Sequence, residues 1–237
     1  KEFNKLEKMK RIFIACDTDK PTVAKKIISN TKNSKLKFGY KFGLQFFYSK
    51  LGRKFISKLN KKNIIWLDLK LKDIPNTVGS SIMALKDLKN IRYLTVHCSG
   101  GLEMLKRSKT VAKKINKKLK IIGVTVLTSF KQKSLREVGY SKKLEDITAS
   151  QAKLAKKAKL DGIVCSGHEI KKIKRICKNM EIITPGIRLT GDKKQDQQRV
   201  MSPKQAFKNG ANSIVVGRSI TKGNIKKNIK RLLNSLN

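Results

Sequence analysis

Three charged residues stand close together where an apolar segment of the chain ends. Residues 64–77 read IIWLDLKLKDIPNT and contain Asp68, Lys70 and Asp73. Because alternate side chains of a strand point to the same side, we expect Asp68 and Lys70 to project together, with Asp73 converging on them where Pro75 stops the strand. An ammonium held between carboxylates can stabilise developing negative charge on a substrate and then deliver a proton. An ordinary salt bridge at a strand end is the alternative for a lone Asp-x-Lys pair.

Other polar residues stand at comparable places in the sequence. Asp17 follows the apolar run IFIAC, and Lys41 lies in LKFGYKFG. Core packing does not explain a charged residue at each of the first three strand ends, whereas catalytic residues of parallel barrels come from such ends. Gly217 and Arg218 follow SIVV and open a helix, which predicts an anion site. A tight turn that requires glycine is the alternative there.

Short apolar segments alternate with longer amphipathic segments along the whole chain. The predicted strands cover residues 11–16, 36–41, 64–69, 92–96, 120–126, 161–165, 180–183 and 213–216. The predicted helices cover residues 21–32, 44–60, 76–89, 101–117, 147–159, 168–178, 203–210 and 219–235. Near-continuous apolar strands are typical of parallel sheets, so the pattern favours one (β/α)8 barrel over a doubly wound open sheet. The two longest connections, 127–146 and 184–202, both follow strands, and 184–202 is the candidate lid.

The formal net charge of +41 raises the possibility of a nucleic-acid-binding protein. The lysines are spread along the chain, aromatic residues make up only 6%, and neither a helix-turn-helix nor a zinc finger is recognisable. We therefore attribute the charge to compositional bias and expect no specific nucleic-acid partner. We also expect no membrane span, because no stretch approaches the roughly 20 apolar residues that a span needs.

The cysteines and histidines do not predict a metal site. There is no CxxC pair, and His97 and His168 complete no zinc-ligand spacing. Neither histidine is expected to be catalytic. We expect all four cysteines to be free, buried thiols and the protein to work in a reducing cytoplasm. The cysteines are Cys16, Cys98, Cys165 and Cys177. Residues 1–10 are predicted to be an N-terminal extension, and 11–237 the barrel domain.

A series of short motifs runs through most of the chain in order. The segment at 68–77 carries the pattern D-x-K-x-x-D-I-P-N-T. The other segments are Asp17, Lys41-Phe-Gly, VHCSGG at 96–101, VTVLTS at 124–129, DGIVCS at 161–166, TPGIR at 184–188, DQQRV at 196–200 and VVGRSIT at 215–221. With this series the chain resembles the orotidine 5′-phosphate decarboxylase family. One departure is Lys72, at a position that is often histidine in the family, which adds a cation beside the site.

The resemblance implies a decarboxylase that needs neither a cofactor nor a metal and converts orotidine 5′-phosphate to uridine 5′-phosphate and CO2. Lys70 would stabilise the carbanion and protonate it, flanked by Asp68 and Asp73, and Lys41 would complete an alternating Lys/Asp row. The resemblance also implies a homodimer in which Asp73 and Thr77 serve the partner's site.

The resemblance implies the remaining substrate contacts as well. Asp17 and Lys41 would bind the ribose hydroxyls, and Thr128 would contact the base. Gln197 would bridge the phosphate and the pyrimidine. Arg188, Gly217 and Arg218 would bind the phosphate. The D-x-K-x-x-D core is shared with related barrels of the hexulose-phosphate synthase or keto-gulonate-phosphate decarboxylase type, which typically need Mg²⁺ and remain an alternative. Thr128, Arg188 and Gln197 favour the pyrimidine nucleotide.

Overall fold

A computed structural model describes residues 10–32, 34, 36–192 and 200–236. Eight parallel strands pair in chain order and close into a barrel, because the last strand pairs with the first. This closure confirms the predicted (β/α)8 barrel and excludes the open sheet. The strands are β1 (Arg11–Ala15), β2 (Phe38–Gly43), β3 (Ile64–Leu71), β4 (Ile91–His97), β5 (Lys120–Val124), β6 (Gly162–Val164), β7 (Glu181–Thr184) and β8 (Ser213–Val216).

Helices follow the strands on the outside of the barrel. They are α1 (Pro21–Thr31), α2 (Leu44–Tyr48), α3 (Gly52–Lys58), α4 (Pro75–Met83), α5 (Leu102–Ile115), α6 (Gln132–Glu137), α7 (Leu144–Lys157), α8 (Ile170–Ile176), α9 (Pro203–Lys208), α10 (Arg218–Thr221) and α11 (Ile225–Asn234). Short 3₁₀ turns at Cys98–Gly100 and Gly167–Glu169 precede α5 and α8.

Two predicted helices are each divided into two. The segment 44–60 breaks because both the backbone N–H and the hydroxyl of Ser49 donate to the Phe46 carbonyl, and Ser49 itself is extended. The segment 219–235 breaks at Gly223, whose φ of 71° lies in the left-handed region that favours glycine. The predicted long connection 127–146 is not a single loop, because it contains α6 and the start of α7.

The lower part of the barrel interior is filled by aromatic and branched side chains. The Phe13 ring meets the rings of Trp66 and Tyr93 edge to face, with centroids 4.9 and 5.0 Å apart. Gly39 makes room for Phe13, because a Cβ at position 39 would lie 2.5 Å from that ring. A second, larger core lies between the strands and the helices. Because this part of the interior is filled, we expect a site inside the barrel at the carboxyl ends of the strands.

A polar cluster closes the amino-terminal end of the barrel. The Glu181 carboxylate accepts hydrogen bonds from Tyr93 (3.0 Å), Lys120 (2.8 Å) and Ser213 (2.6 Å), and Arg11 donates to the Tyr93 hydroxyl. Burial by itself raises the pKa of Glu181, but the bonds from Lys120 and Ser213 outweigh it and hold this pKa below its usual value. This charged group is therefore part of the scaffold.

Two features of the fold bear on the other predictions. All four cysteines are free and buried, as the spacing predicted. Among the residues that the structure describes, no helix is long and apolar enough to cross a membrane. The predicted extension, 1–10, falls almost entirely outside the described residues and stays a prediction.

Candidate active site

A cavity of about 670 Å³ opens at the carboxyl ends of the strands. This volume lies within the range of about 300–1,000 Å³ that is typical of small-molecule sites. Charged side chains surround its upper part, and its deeper wall is apolar. The apolar wall consists of Ala15, Trp66, Val124, Val164 and Val215.

Four charged side chains form an alternating row along one wall of the cavity. The Lys41 ammonium lies 3.6 Å from Asp17 and 3.1 Å from Oδ2 of Asp68. The Lys70 ammonium lies 2.9 Å from the same Asp68 oxygen. The Asp68 side chain is only 10% exposed, whereas that of Lys70 is 31% exposed. Lys70 ends the row and is more accessible to a ligand in the cavity than Asp68 is.

The row holds its buried members in their charged forms. Burial by itself raises the pKa of Asp68, but the positive charges of Lys41 and Lys70, with further hydrogen bonds, outweigh it and lower this pKa to about 2. Burial likewise disfavours charge on Lys41, and the carboxylates of Asp68 and Asp17 outweigh it and raise the Lys41 pKa. Asp68 is therefore a permanent anion at neutral pH and cannot act as a proton donor there.

Asp68 and Lys70 project together into the cavity, as predicted, but they meet through an irregular backbone and not through regular strand alternation. Leu67 pairs with Leu94 and Leu71 pairs with Val96, so the three residues 68–70 of β3 lie opposite a single residue of β4. Lys70 has a φ of 48°, which is uncommon for a residue other than glycine. A bulge of this kind re-aims a side chain, and here it directs the ammonium to Asp68.

Thr95 is the residue of β4 that faces this bulge, and sequence reasoning missed it. Its buried hydroxyl accepts a hydrogen bond from the Lys70 backbone N–H (3.0 Å) and donates one to Oδ1 of Asp68 (2.9 Å). The signal in the sequence was a threonine between the apolar Leu94 and Val96 in the middle of the strand IRYLTVH. Buried polar side chains need partners, which makes such a residue informative.

Asp73 and Thr77 lie apart from the row, so the predicted convergence of all three charged groups within one chain is wrong. Both residues are exposed and neither lines the cavity. The chain leaves the barrel after Leu71, and the Asp73 carboxylate accepts a hydrogen bond from the Ile74 N–H (2.7 Å) just before α4.

Two arginines face the far end of the cavity. Arg188 and Arg218 both line it, together with Gly217 and Thr128. Burial, and then the positive charge of Arg218, lower the pKa of Arg188, so the two guanidinium groups are close enough to repel each other. A dianionic group between them would relieve that repulsion.

Further residues at this end were either missed or fall outside the described part of the chain. Thr221 and Lys222 line the cavity beside Arg218 and were not predicted. The signal was weak, because lysines occur throughout this sequence. Gln197, predicted to bridge phosphate and pyrimidine, lies outside the described residues.

The histidines lie beyond the cavity lining. His97 is half-buried, and burial with the charges of Lys70 and Lys72 lowers its pKa. His168 is exposed. Within the described ranges, no group of three or more His, Cys, Asp or Glu side chains is arranged to hold a metal ion.

A closed parallel barrel with a charged row and a cationic end at the carboxyl ends of its strands defines a (β/α)8-barrel enzyme. Residues 10–231 match the family model described as Orotidine 5'-phosphate decarboxylase / HUMPS family. The chain belongs to this family of enzymes.

Named relatives and solved structures agree with this assignment. The orotidine 5'-phosphate decarboxylase of Wolbachia sp. subsp. Brugia malayi is 42% identical over 227 residues, which are 95% of this chain and 98% of the relative. The enzyme of that name from Buchnera aphidicola subsp. Acyrthosiphon pisum (strain Tuc7) is 43% identical over 223 residues, 92% and 93% of the two chains. The crystal structure of orotidine 5'-phosphate decarboxylase from Lactobacillus acidophilus has a TM-score of 0.81 and 33% identity, over 96% and 99% of the chains. The Methanocaldococcus jannaschii enzyme, complexed with inhibitor BMP, has a TM-score of 0.75 and 26% identity, over 95% and 98%.

Proposed function

We propose that this enzyme decarboxylates orotidine 5′-phosphate to uridine 5′-phosphate and CO2 without a cofactor. One observation carries the proposal. The Lys70 ammonium is fixed 2.9 Å from Asp68 in a cavity whose far end presents two arginines, so one ligand can present its reacting carbon to Lys70 and its phosphate to the arginines. The names of the relatives that cover nearly the whole chain support the same substrate.

The charged row suits the bond changes that this reaction requires. The bond between the ring carbon and the carboxylate breaks, CO2 leaves, and the electron pair remains on the ring carbon. The Lys70 ammonium stabilises that carbanion and then donates a proton, forming the new C–H bond. Asp68 stays ionised, so its carboxylate holds the Lys70 ammonium in place at 2.9 Å and repels a carboxylate placed beside it. We give more weight to the preorganised ammonium than to this repulsion.

The contacts to the rest of the substrate follow from where its reacting carbon and its phosphate bind. Arg188, Arg218 and the backbone at Gly217 take the phosphate, and Thr128 contacts the base. Asp17 and Lys41 lie between these regions and take the ribose hydroxyls. We propose that Gln197, in the segment after β7, bridges phosphate and pyrimidine, and that this segment closes over the bound nucleotide, with phosphate binding providing the free energy.

We also propose that the active enzyme is a homodimer in which Asp73 and Thr77 act in the partner's site. These two residues are exposed although they belong to the motif that contains Lys70. Large exposed apolar side chains cluster on the neighbouring β2–α3 and β3–α4 units, and a second copy would cover them. They are Leu44, Tyr48, Leu51, Ile74 and Met83.

The four free, buried thiols support a reducing compartment, and we propose that the enzyme works in the cytoplasm. The proposed reaction needs no cofactor that only another compartment would supply.

The activity is tested by following the absorbance of orotidine 5′-phosphate with purified protein in the presence of EDTA. Lys70→Ala removes both the stabilising charge and the proton donor, so we expect a loss of at least about 10³-fold in kcat. Lys72→Ala, which changes a neighbouring exposed lysine, is the matched control and should lose less than about tenfold. Equal activity of Lys70→Ala and the unchanged enzyme would refute the proposed mechanism. Activity that requires Mg²⁺ would favour the sugar-phosphate alternative.

Mixing two inactive variants tests the homodimer. Asp73→Ala and Lys70→Ala should each be inactive, because each lacks one half of every site. In a mixed dimer, one site combines an intact Lys70 with an intact Asp73, so an equal mixture should recover about a quarter of the original activity. No recovery after the subunits have exchanged would show that both residues act within one chain.

A further inference from the structure

A single hydroxyl group contacts both Asp68 and Lys70 at the bulge. Three residues of β3 lie opposite one residue of β4, so the regular ladder of backbone hydrogen bonds is interrupted there. The residue that fills the interruption is Thr95, which is completely buried. Its hydroxyl is the one side-chain group that contacts both the backbone of Lys70 and the carboxylate of Asp68 within the described chain.

The Thr95 hydroxyl accepts one hydrogen bond and donates another. A lone pair on Thr95 Oγ1 accepts from the Lys70 N–H, which lacks a regular strand partner at the bulge. The hydroxyl hydrogen goes to Oδ1 of Asp68, which leaves Oδ2 for the two lysine ammoniums at 2.9 and 3.1 Å. The donor and the acceptor of one hydroxyl are thus both used, and they fix the two ends of the Lys70–Asp68 ion pair.

This arrangement also explains how Lys70 keeps an unfavourable backbone. A non-glycine residue in the left-handed region is strained, and it persists only where its surroundings hold it. The hydrogen bond from the Lys70 N–H to a buried, β-branched side chain with restricted rotamers supplies such a restraint.

We propose that Thr95 is the positioning residue that sets the reactive geometry of the Lys70–Asp68 pair, an inference that rests on the proposed function. Thr95 does not line the cavity, so we do not expect it to contact the substrate. It acts through the orientation of the Asp68 carboxylate and the direction in which Lys70 leaves the strand. A small displacement of an ammonium that must stabilise a carbanion costs rate, whereas the remote phosphate contacts remain.

The test compares substitutions that separate the hydroxyl from the shape of the side chain. Thr95→Val keeps the shape and removes the hydroxyl, and Thr95→Ser keeps the hydroxyl. We expect Thr95→Val to lower kcat about 10–100-fold and Thr95→Ser to stay within about threefold of the unchanged enzyme. Thr148→Val is the matched control, because Thr148 is a buried threonine whose hydroxyl contacts another carboxylate, Glu169, away from the cavity.

Two further readouts distinguish positioning from a structural defect. Trp66 is the single tryptophan and lines the cavity, so its fluorescence reports binding of uridine 5′-phosphate. The affinity for this nucleotide should change by less than about threefold in Thr95→Val, since its phosphate contacts are intact. Hydrogen exchange of the Lys70 amide should become at least about tenfold faster, because its acceptor is lost.

The outcomes decide for or against Thr95. Unchanged kcat in folded Thr95→Val, or equal losses in Thr95→Ser and Thr95→Val, would overturn the positioning role. If Thr95→Val does not fold, Thr95→Ala against Thr95→Ser isolates the hydroxyl in the same way. If the unchanged enzyme does not turn over orotidine 5′-phosphate, the proposed function fails, and exchange of the Lys70 amide alone then decides whether Thr95 holds this backbone.

Discussion

Replacing Asp68 by asparagine should destabilise the folded protein in a manner that depends on pH. Asp68 is the buried centre of the charged row, and both Lys41 and Lys70 contact its Oδ2 atom. The Asp68→Asn substitution keeps the size of the side chain and removes its charge. Two ammonium groups would then lie close together without the carboxylate between them, and the hydroxyl of Thr95 would face an amide.

The pKa of Asp68 gives the size of the effect. This pKa falls from 3.8 to about 2 on folding, and one pKa unit corresponds to about 1.4 kcal/mol, so the ionised group contributes about 2–3 kcal/mol at pH 7. Because the folded pKa is the lower one, this stability is present above the unfolded value of 3.8 and is lost as the pH falls towards 2. About half of it should be gone at pH 3.

Urea unfolding of both proteins at pH 7 and pH 3 measures this directly. We expect Asp68→Asn to be less stable by about 3 kcal/mol at pH 7, and this difference to shrink by about 1 kcal/mol at pH 3, where Asp68 is still mostly ionised in the folded protein but mostly protonated in the unfolded chain. Asp87→Asn is the control, because the Asp87–Arg53 pair is exposed and should matter by less than about 1 kcal/mol at either pH. A difference that is the same at both pH values, or absent at pH 7, would refute this account of the row.

Further predictions concern other parts of the molecule. Arg188→Ala should raise KM about 10–100-fold with a smaller change in kcat, because it removes a charged hydrogen bond to phosphate, and an unchanged KM would place the phosphate elsewhere. Glu181→Gln should lower the free energy of unfolding by about 2 kcal/mol while kcat stays within about twofold, since Glu181 and Lys120 lie at the opposite end of the barrel; a large loss of kcat would contradict this separation. The buried thiols, including Cys16, whose pKa burial raises to about 12, should react with a thiol reagent only after unfolding, and rapid labelling of the native protein would contradict their burial.

The fold could be predicted from the sequence because each strand is a nearly continuous apolar run. A strand buried on both faces needs apolar side chains in both directions, and that requirement is met in the middle of this barrel, between the polar groups at its two ends. Helix ends were less predictable, since they depend on local hydrogen bonds. Ser49, for example, ends α2 through two bonds to one carbonyl, and no spacing of apolar residues reveals them.

The candidate site was predictable in its residue types but not in its geometry. The positions of Asp17, Lys41 and Asp68 follow from the strand ends, because parallel strands bring their carboxyl ends to one side of the barrel. The contact of Lys70 with Asp68 does not follow in this way, because it depends on a bulge that is stabilised from the next strand by Thr95. A tertiary hydrogen bond from a residue 25 positions away leaves no periodic trace in the sequence.

The high net charge of the chain reflects a difference between its exposed surface and its buried ion pairs. Solvated helix faces accept lysine at small cost, because exposed charges interact weakly with one another and are screened by salt. A carboxylate that holds a buried ammonium cannot be exchanged so easily, since its loss leaves an unpaired buried charge. The chain has only 16 acidic residues, and Asp68 and Glu181 are two that each bind a lysine inside the barrel, one at either end. The net charge of +41 is therefore compatible with an active site whose charges are paired, because lysine has accumulated on exposed surfaces, where a charged side chain costs least.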